Sequence, residues 1–192
     1  MSAVSVVIPV RAGDSPDITL RSLARSTFED YDIVVAHDQT GNANWARNRG
    51  YKNARAPLVL FSDADIEWLP DALDVLVGAL QKHPEAAYAY GAYAIGNWVQ
   101  CNLPFDELRL RRSNYISTMS LIRSDLFPGF DERLKRMQDW DLWLTMLEQG
   151  HRGVYCGRIV FSTEKGQGIS YGSIGPSWEE AVEAVRQKHG LQ

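Results

Sequence analysis

The chain has 192 residues, 45% of them hydrophobic, enough for one domain with a sizeable core. A net charge of −4 spread over both signs leaves no broad footprint for nucleic acid, so a phosphate-bearing ligand needs local positive charge or a metal. No apolar run approaches a membrane span and no basic, signal-like lead precedes the first strand, which predicts a cytoplasmic protein.

Val4 to Val10 is β-branched, ends near Pro9 and reads as a buried strand of a parallel sheet. A polar loop, Arg11-Ala12-Gly13-Asp14, leads to a helix from Ser15 with Ile18, Leu20 and Leu23 at helical spacing. Asp32 to Ala36 is the second strand. The turn-forming run His37 to Asn42 that follows lies where open α/β sheets bind ligands. There Asp38 either accepts hydrogen bonds from a base or ribose, or caps the next turn. The helix from Trp45 to Ala54 carries Ala46, Gly50 and Ala54 on one stripe, which lets it lie close to a sheet. Its basic residues, Arg47, Arg49, Lys52 and Arg55, either face solvent or pair with carboxylates or a diphosphate.

Leu58 to Asp65 is the stretch with the clearest chemistry. An apolar run of strand length breaks off into Asp63-Ala64-Asp65. Residues i and i+2 of an extended chain point to one side, so the two carboxylates can meet at one point and would then require a cation or proton between them. Oxygen-only ligands argue for Mg²⁺ or Mn²⁺, with substrate phosphates completing the shell. The alternative is that Asp63 ends the strand and Asp65 starts a turn.

A helix follows from Leu69-Pro70-Asp71 to about Lys82, with Leu73, Leu76, Val77 and Leu80 on one stripe. Ala86 to Ile95 reads as a fourth strand. Gly96 to Arg112 is the least regular stretch; its cluster Arg109, Arg111 and Arg112 is a solvated helix face or a contact for phosphate or an anionic membrane surface, which leaves a peripheral membrane location open. Tyr115 to Ile122 is another candidate strand. Gln138-Asp139-Trp140-Asp141 then enters a helix ending at Gly150, where Asp139 is either an N-cap carboxylate or a general base opening into a crevice. Gly153 to Phe161 holds one or two short strands, Ser162 to Ile169 a glycine-containing loop, and Ser177-Trp178-Glu179-Glu180 a capping box for a terminal helix to about His189. Cys101 and Cys156 match no metal or redox spacing and read as free, partly buried thiols.

Taken together, Val4-Ser5-Val6-Val7-Ile8-Pro9-Val10, Ala46-Arg47-Asn48-Arg49-Gly50, Phe61-Ser62-Asp63-Ala64-Asp65, Gly129-Phe130-Asp131-Glu132 and Gln138-Asp139-Trp140-Asp141-Leu142 resemble, in order and spacing, the family 2 glycosyltransferases with the GT-A fold. The resemblance runs from Val4 to about Phe161. It implies an α/β, Rossmann-type single domain over residues 1–192, with a mostly parallel central sheet flanked by helices, a nucleotide-sugar half to about residue 95 and an acceptor half beyond it. It further implies Arg11 and Asp14 against the nucleotide, Asp38 on the base, Arg47 near the nucleotide-sugar, Mn²⁺ or Mg²⁺ on Asp65 with Asp63 contributing, and Asp139 as catalytic base.

The implied reaction is inverting transfer of a sugar from a nucleotide-diphosphate donor to a hydroxyl of a glycan, lipid-linked or protein acceptor. Lys165 either closes over the diphosphate or sits in a plain surface loop, and Trp140 and Trp68 either offer faces to a sugar or pack in the core. Three departures stand out. His37 precedes Asp38 where paired acids are usual, Gln138 replaces an acidic neighbour of Asp139, and no histidine lies near Ser162 and Thr163 to help hold a metal. The chain is also short for the family, so a partner subunit, as in a homodimer, could complete the acceptor site. The main alternative is a nucleotide-sugar-binding protein that turns nothing over. A nucleotidyltransferase would need a more glycine-rich, basic first loop, and an aspartyl phosphatase would carry its nucleophile on the first strand.

Overall fold

The computed structural model describes residues 2–164 and 175–191. Strand β1 (Val4–Arg11) is buried along its length except at Arg11, because β2 (Tyr31–Asp38) and β3 (Leu58–Phe61) pair with it in parallel on either side. Helix α1 (Asp17–Leu23) follows β1 and α2 (Ala43–Tyr51) follows β2. Beyond β3 come β4 (Glu67–Trp68), α3 (Ala72–Lys82), the hairpin of β5 (Tyr88–Ile95) and β6 (Trp98–Gln100), α4 (Glu107–Arg112) and β7 (Leu121–Arg123). Helix α5 (Gln138–Glu148), β8 (Gly153–Thr163) and α6 (Trp178–Lys188) complete the chain.

One sheet runs β2-β1-β3-β7-β5-β8-β4, with β6 attached to β5, and so joins the two halves of the sequence. The α/β architecture matches expectation, but the sheet is mixed rather than mostly parallel. Strand β7 lies antiparallel to both β3 and β5, β4 antiparallel to β8, and parallel pairing returns only between β5 and β8. Alternation along the strands divides the core between two faces. Val7, Val59 and Phe61 meet Trp140, Trp143 and Leu144 of α5 on one face, while Val6, Ile8 and Leu60 meet Leu73, Leu76 and Leu80 of α3 on the other.

Several boundaries differ from the sequence reading. Strand β3 stops at Phe61, so the two aspartates sit in a turn. The strand expected over Tyr115 to Ile122 shrinks to Leu121–Arg123. Buried Ile116, Thr118 and Ser120 give that stretch a strand-like alternation. Its backbone N–H groups are taken locally instead, Ile116 by Asn114 Oδ1 at 3.2 Å and Met119 by Ser117 Oγ at 3.2 Å. The irregular segment contains β6 and α4. On α4 the arginine cluster is partly ion-paired, since Glu107 takes Arg111 at 3.2 Å and Arg152 at 3.1 Å. The capping box at Ser177 forms with both its bonds. No helix among the described residues is long and apolar enough to cross a membrane.

Candidate active site

The turn after β3 is braced from beneath by α1. The hydroxyl of Thr19, fully buried, donates to the Asp63 carbonyl at 2.7 Å and accepts the Ile66 N–H at 3.0 Å. The two aspartates that the turn presents have different surroundings. Asp63 Oδ1 meets Arg47 Nη2 at 2.6 Å. Asp65 has no cationic partner among the described residues, and burial, then the charges of Asp63 and Asp14, push its carboxyl above the ordinary value. It opens onto a cleft of about 740 Å³ lined also by Arg21 of α1 and Arg25 just beyond that helix, by Gly96, and by Ser162, Thr163 and Glu164 at the end of β8.

Arg47 reaches Asp63 because α2 lies unusually close to the sheet. Gly50 faces β1 so tightly that a Cβ there would stand 2.4 Å from Val7 Cγ1. The guanidinium is buried, donates from Nη1 to Asn44 Oδ1 at 3.1 Å, and lies 5.4 Å from the centre of the Phe130 ring. Its Nε is buried without a hydrogen bond.

Three asparagines of this segment fix the loop that carries Phe130. Asn42 caps α2 and donates to Glu132 O at 2.6 Å, Asn44 donates to Asp131 O at 3.0 Å, and Asn48 both donates to Phe130 O and accepts its N–H, each at 2.9 Å. Sequence reasoning gave none of them a role, although Asn44 and Asn48 share a helix face at i and i+4.

The first loop places Arg11 and Asp14 against each other, Nε to Oδ2 at 3.1 Å, both exposed at the rim. Asp38, buried at the end of β2, accepts the backbone N–H of Thr40 at 2.8 Å and its hydroxyl at 3.1 Å. Burial pushes Asp38 up, but these bonds and those from the Asn42 and Gly41 backbone outweigh it, so the carboxyl is held below its ordinary value. The geometry is that of a carboxylate tying its own turn.

Asp139 is the second residue of α5 and partly exposed. Met137, just before the helix, holds a left-handed φ of 57°, a strained conformation for a residue with a side chain. Asp139 Oδ1 accepts the Trp140 N–H at 2.9 Å. Burial pushes its carboxyl up, against the lowering influence of backbone bonds, of the Asn114 amide and of the Arg47 charge.

Of the two roles open to Trp140 and Trp68, a face for a sugar or a place in the core, the structure gives both the core. Trp140 is 1% exposed and donates its indole N–H to Leu110 O at 2.6 Å, and Trp68 is 2% exposed with its indole on Ser62 Oγ at 2.8 Å. Lys165 lies outside the described residues. Glu164, missed in the sequence, shares the cleft with Asp65. No three acidic, histidine or cysteine side chains converge as a metal cage among the described residues. His189, on the C-terminal side of these residues, is engaged elsewhere, with Asp141 at 2.9 Å and Glu148 at 2.8 Å.

Residues 7–114, more than half of the chain, match the sequence model of glycosyl transferase family 2. The chain belongs to glycosyl transferase family 2. No curated protein sequence matches it significantly. Among solved structures, the family 2 chain is similar to S. aureus TarS 1-349 in complex with UDP-GlcNAc, with a TM-score of 0.76, 18% identity, and coverage of 97% of this chain and 65% of that one. It is also similar to glucosyl-3-phosphoglycerate synthase from Mycobacterium tuberculosis in complex with Mn²⁺, UDP and phosphoglyceric acid, with a TM-score of 0.67, 12% identity, and coverage of 100% and 80%. These likenesses show the GT-A fold. The chain spans 65% of that TarS structure and 37% of the longer TarS chain.

Proposed function

We propose that this chain is an inverting glycosyltransferase that moves a sugar from a nucleotide-diphosphate donor, tested first with uridine nucleotides, to an acceptor hydroxyl. The observation that carries the reading is the position of Arg47. It is ion-paired to Asp63 at 2.6 Å, and its charge also reaches Asp139, so one buried guanidinium links the carboxylate turn to the start of α5. A donor bound at the turn and an acceptor at Asp139 would then meet across it.

Asp65 suits a divalent ion, since Mg²⁺ and Mn²⁺ are commonly held by one or two carboxylates with substrate phosphates and water supplying the rest. Its carboxyl is raised by burial first and then by the neighbouring charges of Asp63 and Asp14, and a bound cation would favour the ionised form against both. When bound, the ion would neutralise charge on the departing diphosphate. The chain's own residues do the remaining work. Arg47 fixes the carboxylate turn, Asp139 accepts the hydroxyl proton as the new bond forms at the anomeric carbon, and a single base opposite the leaving group gives inversion. In-line orientation of donor and acceptor can contribute about 7–11 kcal/mol in principle.

A non-catalytic nucleotide-sugar-binding role is the second reading. It is favoured by Gln138, whose buried Oε1 has no hydrogen-bond partner beside Asp139. Calorimetric titration with UDP, GDP and dTDP, with and without Mn²⁺, tests the donor site. Mn²⁺-dependent binding of one nucleotide, weakened in Asp65→Asn, is expected; no binding of any nucleotide would reject both readings.

A further inference from the structure

We propose that the outer edge of β2 is a contact surface for a second copy of this chain, the two strands pairing antiparallel across a two-fold axis through Ile33. Strand β2 ends the sheet and, among the described residues, pairs only with β1. The carbonyl of Asp30, just before the strand, accepts the N–H groups of Ala3 and Val4 at 3.0 and 3.3 Å. By the alternation of an extended chain, the even-numbered residues of β2 therefore spend their backbone groups on β1. Those of Ile33, Val35 and His37 point away from the sheet, and the same three residues are exposed.

Proteins usually guard such an edge with lysine, proline or a bulge. The run Tyr31-Asp32-Ile33-Val34-Val35-Ala36-His37-Asp38 has no lysine or proline, and its register with β1 continues without a shift from Tyr31 to Asp38. Ile33 and Val35 are each 38% exposed along it.

A second copy fits because the edge complements itself. A two-fold axis normal to the sheet keeps each face of the strand on its own side, so odd-numbered residues meet odd-numbered ones. Centred on Ile33, the pairing sets Ile33 against Ile33, Tyr31 against Val35 and Glu29 against His37, which are apolar, aromatic with β-branched, and carboxylate with imidazole. On the other face Asp32 meets Val34 and Asp30 meets Ala36. Moving the axis to Val34 would instead set Asp30 against Asp38 and lose the Glu29 pair, and like charges directly opposite destabilise.

A groove of about 530 Å³ runs beside the edge, lined by Ala24, Ser26, Phe28, Glu29, Tyr31 and Ile33. In this register Val35 and His37 of each copy come over the groove of the other. Because the paired strands are antiparallel, the carboxyl ends of the two sheets point in opposite directions and each Asp65 cleft stays open. An interface made of one strand and one groove belongs with the small contacts of under about 1,200 Å², so the dimer is expected to be reversible and concentration-dependent.

Sedimentation velocity across the micromolar range tests the proposal. The wild type should shift from monomer to dimer as concentration rises. Val35→Pro removes an outward N–H and leaves the bonds to β1 in place, since an edge strand accepts proline where the N–H faces solvent. Val35→Lys puts a charge into the apolar row. Both variants should remain monomeric where the wild type is dimeric, with an unchanged circular dichroism spectrum. Independently of either, Ile33→Cys should be linked into a covalent dimer by a short bismaleimide, above the wild-type level, whereas Leu108→Cys, 68% exposed on α4, should not. A wild type that stays monomeric, a dimer that survives in both Val35 variants, or equal cross-linking of the two cysteine variants would overturn the proposal.

Discussion

Arg47 and Asp63 meet at 2.6 Å with 4% of the arginine side chain exposed against 40% of the aspartate. That asymmetry gives the two halves of the pair different weights. Removing Asp63 strands a charge inside the protein, whereas removing Arg47 leaves a carboxylate that already touches water. Breaking a buried pair by removing one partner costs about 3–5 kcal/mol. Asp63→Ala should therefore lower stability by about 3 kcal/mol and Arg47→Met by no more than about half of that. Urea denaturation of the two variants checks the order, and equal losses would contradict it.

Gly50 on α2 tests the close approach that delivers Arg47. Alanine in place of glycine within a helix ordinarily gains up to about 1 kcal/mol. Here the added Cβ would lie 2.4 Å from Val7 Cγ1 and 3.0 Å from Ala36 Cβ, both on strands of the core. Overpacking of this kind costs about 1–3 kcal/mol, so Gly50→Ala should lower Tm and, by lifting α2, weaken nucleotide binding. A raised Tm would show that the helix can move away freely.

His189 gives the fold a pH dependence. Its side chain is 2% exposed, with one ring nitrogen 2.9 Å from Asp141 Oδ1 and the other 2.8 Å from Glu148 Oε1. Lys188 also reaches Asp141, at 2.6 Å, and bridges to Asp131, which Arg133 holds from the other side at 2.7 Å. Burial pulls the imidazole down, but the two carboxylates outweigh it and its folded value lies above 6.5. A raised value means that the stabilisation is complete below the unfolded pKa and is lost as pH rises through the folded one. Stability measured from about pH 6 upward should fall by about 1.5–3 kcal/mol, the range for hydrogen bonds to charged groups, and His189→Gln should flatten that slope. A slope unchanged in His189→Gln would assign the dependence to another group.

The sequence makes legible what has a period or a type requirement. The buried β1, the Ala46 and Gly50 contact of α2, the apolar stripe of α3 and the capping box at Ser177 follow from local pattern and appear in the structure, while Ala54, expected on the same stripe, lies beyond the helix end at Tyr51. Asp63, Asp65, Asp139 and Arg47 stood out by residue type and order, and the fold pairs Arg47 with Asp63 while its charge is felt at Asp139. What could not be read depends on which long-range contact wins. Ile116, Thr118 and Ser120 alternate like a strand but spend their backbone bonds locally, and Trp140 looks equally suited to a sugar or to the core until Leu110 is seen to take its indole. Asn42, Asn44 and Asn48 bond backbone that is distant in sequence, so no local pattern says what they hold.

The most direct measurement is release of nucleoside diphosphate from the donor that binds, compared between wild type and Asp139→Asn at matched donor saturation. Asp139→Asn keeps the shape of the side chain and removes its ability to take a proton. The account predicts turnover in the wild type and a loss of about 10²–10⁴-fold in kcat in the variant, with donor affinity retained. Equal rates in the two proteins, or no turnover in the wild type across sugar and hydroxyl acceptors, would contradict it.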